Sequence, residues 1–240
     1  MPPNIEIIAI EGNIGSGKST ILKMVQDMFS AQTNIIFLKE PVDEWEEMTD
    51  IKGVTILEKF YKDPKQYSFP FQMLAYISRL KLLKESIEHA MERYPNTKLT
   101  IVTERSLYTD KYVFAKMLFN QGNIEDVCYK IYLNWFDTFA RDYPIHKVIY
   151  INTSPHICHA RIRLRSRTGE SHIPVEYLID CDKHHEEFII EQLGQDVKKL
   201  MINGDDDIYK HPTILTCWME MIRVFILDKD DDDMDNDILL

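Results

Sequence analysis

The chain has 240 residues, 45% of them hydrophobic and 28% charged, enough for one well-buried domain but short for two. No apolar run reaches the roughly 18 residues of a membrane-spanning helix, and the opening Met-Pro-Pro-Asn lacks the basic lead of a secretory or Arg-rich transit segment. Of the net charge of −11, residues 228–240 supply −6 through seven Asp and one Lys, so they read as a self-repelling disordered tail, and the body lacks the basic stripe that a nucleic-acid polymer needs.

Taken in chain order, the first expected strand is Ile5–Ile10. It runs into Gly12-Asn13-Ile14-Gly15-Ser16-Gly17-Lys18-Ser19 and then an apolar-periodic helix containing Ile21, Leu22, Val25, Met28 and Phe29. A second strand, Asn34–Lys39, is followed by Glu40-Pro41-Val42-Asp43-Glu44-Trp45. Helical periodicity then covers Leu74–Met91. A third strand, Lys98–Thr103, leads to Glu104-Arg105 and a helix over Ile124–Phe139. A fourth, Lys147–Asn152, leads to the Arg-rich helix Pro155–Arg167, and a fifth, Lys198–Ile202, to Asp205-Asp206-Asp207 and a final helix, Thr213–Leu227. This alternation predicts an α/β domain over residues 1–227 with a parallel sheet wrapped by helices, and polar clusters beyond the carboxyl end of each strand, where such sheets bind ligands. Cys128, Cys158, Cys181 and Cys217 are scattered without metal-ligand spacing, as expected of reduced thiols in a cytosol-like compartment.

The glycine loop matches G-x-x-x-x-G-K-[ST] in full. Its backbone amides would curl around phosphate oxygens, Lys18 would reach the β- and γ-phosphates, and Ser19 would bind Mg²⁺. A chance match in a chain this long is on the order of one in a hundred. The pattern predicts nucleotide binding without naming a reaction. Glu40, at a strand end before Pro41, could accept the proton of an attacking hydroxyl, although Glu-Pro after a strand is equally a surface turn. Tyr61-Lys62-Asp63-Pro64 and Phe69-Pro70-Phe71-Gln72 put aromatics beside an amide, which suits a base edge and its face as well as it suits a core cluster.

Together GNIGSGKS, EPVDEW, YKDP, PFQ, ERSLYTDKYVF, RIRLRSR and IPVEYL, in this order, resemble the deoxynucleoside kinase family over roughly residues 5–227. The resemblance implies a three-layer P-loop kinase fold with an Arg-rich lid, ATP as phosphate donor, Mg²⁺, and transfer to the 5′-hydroxyl of a deoxynucleoside. It implies that Glu40 is the general base, that Trp45 lines the nucleoside pocket, and that Phe114 stacks on the base. Gln72 would pair with the base edge, and Tyr61 and Glu170 would hold the sugar 3′-hydroxyl. Glu104 would position the magnesium and Arg105 the reacting phosphate. The loop residues Gly12 to Ser19, with Thr20, and the lid arginines Arg161, Arg165 and Arg167 would surround the phosphates; Arg163 is the arginine with the weakest case. Asp206 and Asp207 fall where the family holds the donor base. The pair Arg79 and Asp110 resembles the deoxycytidine and deoxyguanosine branch, which implies preference for deoxycytidine or purine deoxynucleosides over thymidine; Phe60 stands where a smaller, flexible residue is expected. A homodimer built through helices and a cytoplasmic location are further implications, as is feedback by a deoxynucleoside triphosphate. The rival readings are a nucleoside monophosphate kinase, disfavoured by the acidic Asp43-Glu44-Trp45-Glu46-Glu47 where a phosphate anchor belongs, and a non-catalytic structural homologue, which could have lost Lys18, Glu40 and Arg105.

Overall fold

The computed structural model describes residues 4–165, 170 and 173–227. Five parallel strands, β1 (Ile5–Glu11), β2 (Ile35–Leu38), β3 (Leu99–Glu104), β4 (Lys147–Asn152) and β5 (Lys198–Asn203), form one sheet in the order β2-β3-β1-β4-β5. The expected parallel sheet is therefore observed. Its register pairs Ile10 with Glu104 and Ile10 with Ile149. Because all strands run the same way, their carboxyl ends, carrying the glycine loop, Glu40, Glu104 and Asp205, meet along one edge.

The period-two alternation of side chains decides how the layers form. Along β1, Ile5 and Ile7 face one side of the sheet and Ile8 and Ile10 the other. The first pair packs with Leu99 and Ile101 against α4 (Pro64–Arg93) and α7 (Asp126–Phe139), through Tyr76, Leu83, Ile87, Tyr132 and Phe136. The second packs with Val102, Ile149 and Ile151 against α1 (Lys18–Met28) and α10 (Pro212–Leu227), through Leu22, Val25, Ile222 and Ile226. Each fully buried aliphatic side chain contributes about 1.5–3 kcal/mol. No helix among the described residues is long and apolar enough to cross a membrane.

Three segments depart from the expected pattern. The helix expected from Leu74 begins ten residues earlier, at Pro64, despite Pro70 in its interior. Asp63 accepts from the Gln66 amide and Pro64 supplies a first-turn residue needing no donor, while packing of Phe71 and Ala75 holds the turn around Pro70. Glu40-Pro41 does form a bend, but α2 (Val42–Glu47) follows it at once, and α3 (Ile56–Lys62) is closed by a Thr55–Glu58 capping box. After α5 (Leu107–Thr109) the chain widens into a π-helical stretch, Asp110–Ala115, before α6 (Lys116–Asn120). Farther on, α8 (Pro155–Arg165) ends at the last described residue of the expected Pro155–Arg167 helix, and α9 (Val175–Glu186) runs into a second π-helical stretch, Glu187–Gln192. Arg167 and the acidic segment 228–240 lie outside the described residues.

Candidate active site

At the carboxyl edge of the sheet lies a cleft of about 890 Å³. One half is the glycine loop. Gly12 (φ 145°) and Gly15 (φ 81°) stand where a β-carbon would meet the Ile151 and Cys158 carbonyl oxygens, each at 2.6 Å, so only glycine lets the loop close over β4 and α8. Gly17 caps α1 without a side chain to occupy the first-turn amides, leaving that positive helix end to an anion. Lys18 is buried, its Nζ donating to the Asn13 carbonyl at 2.7 Å. Burial, then the Arg105 charge, lowers its pKa to about 8. Ser19 Oγ donates to Glu104 Oε1 at 2.7 Å.

The other half is aromatic. Trp45, Phe60 and Phe71 form its wall, with ring centroids 5.4 Å apart for Trp45–Phe71 and 4.9 Å for Phe60–Phe71. Trp45 Nε1 donates to Ser78 Oγ at 2.9 Å, which fixes the indole. Gln72 is 2% exposed, and its Oε1 has no hydrogen-bond partner, an acceptor left open on the pocket wall. Tyr61 and Glu170 line the same space; burial, then the Glu170 charge, raises the Tyr61 phenol pKa well above its usual value.

A charged wall joins the two halves. Arg79 Nε donates to Asp110 Oδ2 at 2.9 Å, its Nη1 to the Glu104 carbonyl at 2.8 Å, and its Nη2 to Glu40 Oε1 at 3.0 Å. Arg105 Nε lies 3.2 Å from the same Glu40 oxygen. Burial alone would raise the Glu40 pKa, but Arg105, Arg79 and Lys18 outweigh it and hold the carboxyl down to about 2. For Asp110 burial wins over Arg79 and the pKa is raised. Arg105 is the one described non-glycine residue with positive φ, 62°, a conformation costing about 1 kcal/mol or more. Its Nη1 bonds the Gly12 carbonyl at 2.9 Å, and its guanidinium lies 4.8 Å over the Phe114 ring.

Over the loop, Arg161 donates to the Ser16 carbonyl at 3.3 Å and the Asp206 carbonyl at 3.4 Å, and Arg165 pairs with Glu170. The family model for deoxynucleoside kinases matches residues 8–228. The chain belongs to the deoxynucleoside kinase family. It is 34% identical to a probable deoxycytidine kinase of fowlpox virus, over 83% of this chain and 79% of that protein. It is 31% identical to mouse deoxycytidine kinase, over 92% and 91% of the two chains, and 32% identical to mitochondrial thymidine kinase 2 of Macaca fascicularis, over 77% of this chain and 64% of the other. It is therefore a nucleoside kinase with a nucleotide as phosphate donor.

In this deoxynucleoside kinase, the cleft is lined by Ile14 to Thr20, Glu40, Trp45, Tyr61, Gln72, Arg79, Glu104, Arg105, Asp110, Phe114, Arg161, Arg165, Glu170, Asp206 and Asp207. Gly12 and Asn13 lie beneath the lining: the Gly12 carbonyl holds Arg105, and Asn13 Nδ2 donates to the Leu178 carbonyl at 2.8 Å. Three residues escape sequence reasoning. Ser78 supports Trp45 from α4, and Glu11 is fully buried, its pKa raised by burial although the Thr109 and Ser106 hydroxyls oppose the rise. His185 meets Arg105. Nothing local marks any of them, since each matters only through a partner 33 to 98 residues away.

Proposed function

We propose that this enzyme transfers the γ-phosphoryl group of ATP, or another nucleoside triphosphate, to the 5′-hydroxyl of a deoxynucleoside, with deoxycytidine or purine deoxynucleosides preferred over thymidine, and that the kinase domain spans residues 1–227. The reading rests on Glu40, whose Oε1 is shared by Arg79 and Arg105 on the wall common to the phosphate loop and the aromatic pocket. Glu40 takes the hydroxyl proton. A carboxylate held near 2 is a weak base; phosphate oxygens arriving at Arg105 and Lys18 draw those cations away and raise its basicity when the hydroxyl is in reach. The loop amides, Lys18 and Arg105 hold the phosphates, and Arg161, Arg165 and Arg167 close over them. Tyr61 and Glu170 hold the sugar, while Gln72, Trp45 and Phe114 hold the base. Asp206 and Asp207 border the donor base.

Ser19 and Glu104 offer two hard oxygens, 2.7 Å apart, at the foot of the loop. That donor set fits Mg²⁺, which takes one or two protein oxygens beside phosphate oxygens and water. When bound, the ion supplies neutralisation of phosphate charge. Four free thiols support a reducing, cytoplasmic compartment.

The relatives include deoxycytidine and thymidine kinases at similar identity, so preference is argued from Arg79 and Asp110. Bridged to each other and buried, they present a fixed donor and acceptor to a base amino or carbonyl group and crowd a thymine methyl. Assayed with ATP, deoxycytidine or a purine deoxynucleoside is expected to exceed thymidine in kcat/KM by about tenfold or more, and deoxynucleoside monophosphates to accept no phosphate. Joint replacement of Arg79 and Asp110 should erase that discrimination; an unchanged ratio removes the pair as its cause.

Lys18 gives a pH signature. The ammonium binds phosphate, and its lowered pKa near 8 means that the free protein loses the charge as pH rises past 8. ATP affinity is expected to be flat below pH 8 and to weaken by up to roughly tenfold per unit above it, with proton uptake on binding measurable by calorimetry in two buffers. Lys18→Arg should flatten the profile. A wild-type profile without an inflection would remove Lys18 as a titrating phosphate ligand.

The homodimer is proposed on α7, where Val127, Ile131, Trp135 and Phe139 recur every four residues at 57, 42, 45 and 40% exposure, with the Trp135 and Phe139 rings stacked at 5.3 Å. Trp135→Asp is expected to shift sedimentation from dimer to monomer; identical profiles would move the interface elsewhere.

A further inference from the structure

Arg105 has five N–H bonds, and their destinations identify a residue that the kinase reading leaves out. Nε lies 3.2 Å from Glu40 Oε1 as an ion pair. Nη1 carries two hydrogens and has two neighbours, the Gly12 carbonyl at 2.9 Å and His185 Nε2 at 3.2 Å. Arginine only donates, so Nε2 of His185 must bear the lone pair. The other ring nitrogen, Nδ1, lies 2.7 Å from the Cys181 carbonyl, which only accepts, so Nδ1 carries the proton. One neutral tautomer satisfies both contacts, and neither the other tautomer nor the imidazolium does.

The ring has no room to choose otherwise. His185 is fully buried, with the Phe114 ring edge-on at 6.1 Å and the Tyr150 ring stacked at 6.4 Å. Burial, then the Arg105 charge, pushes its pKa well below the usual histidine value, which agrees with a neutral ring beside a cation. Arg105 needs such support because its own backbone has φ 62° and its side chain must turn from β3 across the sheet edge. With Nη1 committed and Nε beside Glu40, Nη2 makes no hydrogen bond among the described residues and is left for a ligand oxygen.

We propose that His185 is a positioning residue: as the Nδ1–H tautomer it fixes the second Nη1 hydrogen of Arg105 and so aims Nη2 at the phosphoryl group in flight. The inference rests on the reading of Arg105 as a phosphate-holding residue. Misplacing a reacting group by about 1 Å costs on the order of a hundredfold in rate, so the effect belongs in kcat, while ATP and nucleoside KM, set by the loop amides and the aromatic pocket, move little.

Two amides separate the roles of the two ring nitrogens. His185→Gln can offer an acceptor near Nε2, whereas His185→Asn keeps only a donor near Nδ1 for the Cys181 carbonyl. The Asn variant is expected to lose kcat by about 10–100-fold with both KM values within about threefold, and the Gln variant to recover most of that loss. In an Arg105→Leu background His185→Asn should cost less than twofold more, since the residue it positions is gone. Equal impairment of the Gln and Asn variants, or the same fold loss in both backgrounds, would reduce His185 to a packing residue and overturn the proposal. Arg105→Leu alone keeps the two readings apart: an unchanged kcat there overturns the role of Arg105 itself, and this inference with it. Should the variants fail to fold, the wild-type protein still decides. Nitrogen NMR of labelled histidine at pH 7 is expected to give protonated Nδ1 and bare Nε2 for His185, and the opposite tautomer or an imidazolium would sink the idea.

Discussion

Glu40→Gln is expected to lower kcat by about 10²–10⁴-fold while leaving ATP binding intact. The two side chains have the same shape, and a Gln oxygen can still accept from Arg79 Nη2, 3.0 Å from the present carboxylate oxygen, and sit beside Arg105 Nε, now 3.2 Å from it. Packing is therefore preserved, and what disappears is the ability to take a proton. The loop amides, Lys18 and Ser19 stand on the other half of the cleft and are unchanged. The loss corresponds to about 3–5 kcal/mol of transition-state stabilisation. Steady-state rates with the best deoxynucleoside, set beside ATP affinity by calorimetry, separate the outcomes: a variant within threefold of wild type in kcat would remove Glu40 as the base, and lost ATP binding would mean that the charge organises the loop instead.

The second large effect is on stability. Arg79 joins Asp110, the Glu104 carbonyl and Glu40, with side-chain exposures of 4% for Arg79 and 2% for Asp110. Arg79→Met leaves a carboxylate buried without its counter-charge, which costs about 3–5 kcal/mol, or roughly 10 °C in Tm for a chain of this size. Glu40 suffers less, because Arg105 remains beside it. Removing the stranded charge as well, in Arg79→Met with Asp110→Asn, should recover more than half of the loss, because the penalty lies in the orphaned charge more than in the missing bond. Urea unfolding of the two variants beside wild type measures this directly. A single variant within about 1 kcal/mol of wild type, or a double variant no better than the single one, would contradict the account.

The sign of the pH response follows from the same wall. The Glu40 pKa is depressed in the folded protein, so its ion pairs contribute stability that is complete above the ordinary glutamate value of 4.5 and is lost as pH falls toward about 2. Asp110 works in the opposite sense: its raised pKa means that burial favours its protonated form, and ionising it as pH climbs costs stability that Arg79 only partly offsets.

Periodicity and motif spacing were enough to locate all five strands to within a residue or two, the helix after the glycine loop, and the Arg-rich helix beyond β4. Such features are local: a buried strand must be apolar along its length, and a loop that wraps phosphate must hold glycine wherever a β-carbon would strike Ile151 or Cys158. The family, too, could be read from ordered motifs alone. The helical turn around Pro70 and the π-helical stretch at Asp110–Ala115 were not legible, because local preference opposes the first and is silent on the second, and both are held by packing from other elements. The network at the site depends still more on tertiary structure. Glu40, Arg79, Arg105, Asp110 and His185 come from segments up to 145 positions apart: Glu40 and Arg105 follow the carboxyl ends of the neighbouring strands β2 and β3, and Arg79, Asp110 and His185 reach them from α4, the Asp110–Ala115 stretch and α9. Charge pairing at that edge depends on distances of about 3 Å, which no residue's own neighbours in the chain can set.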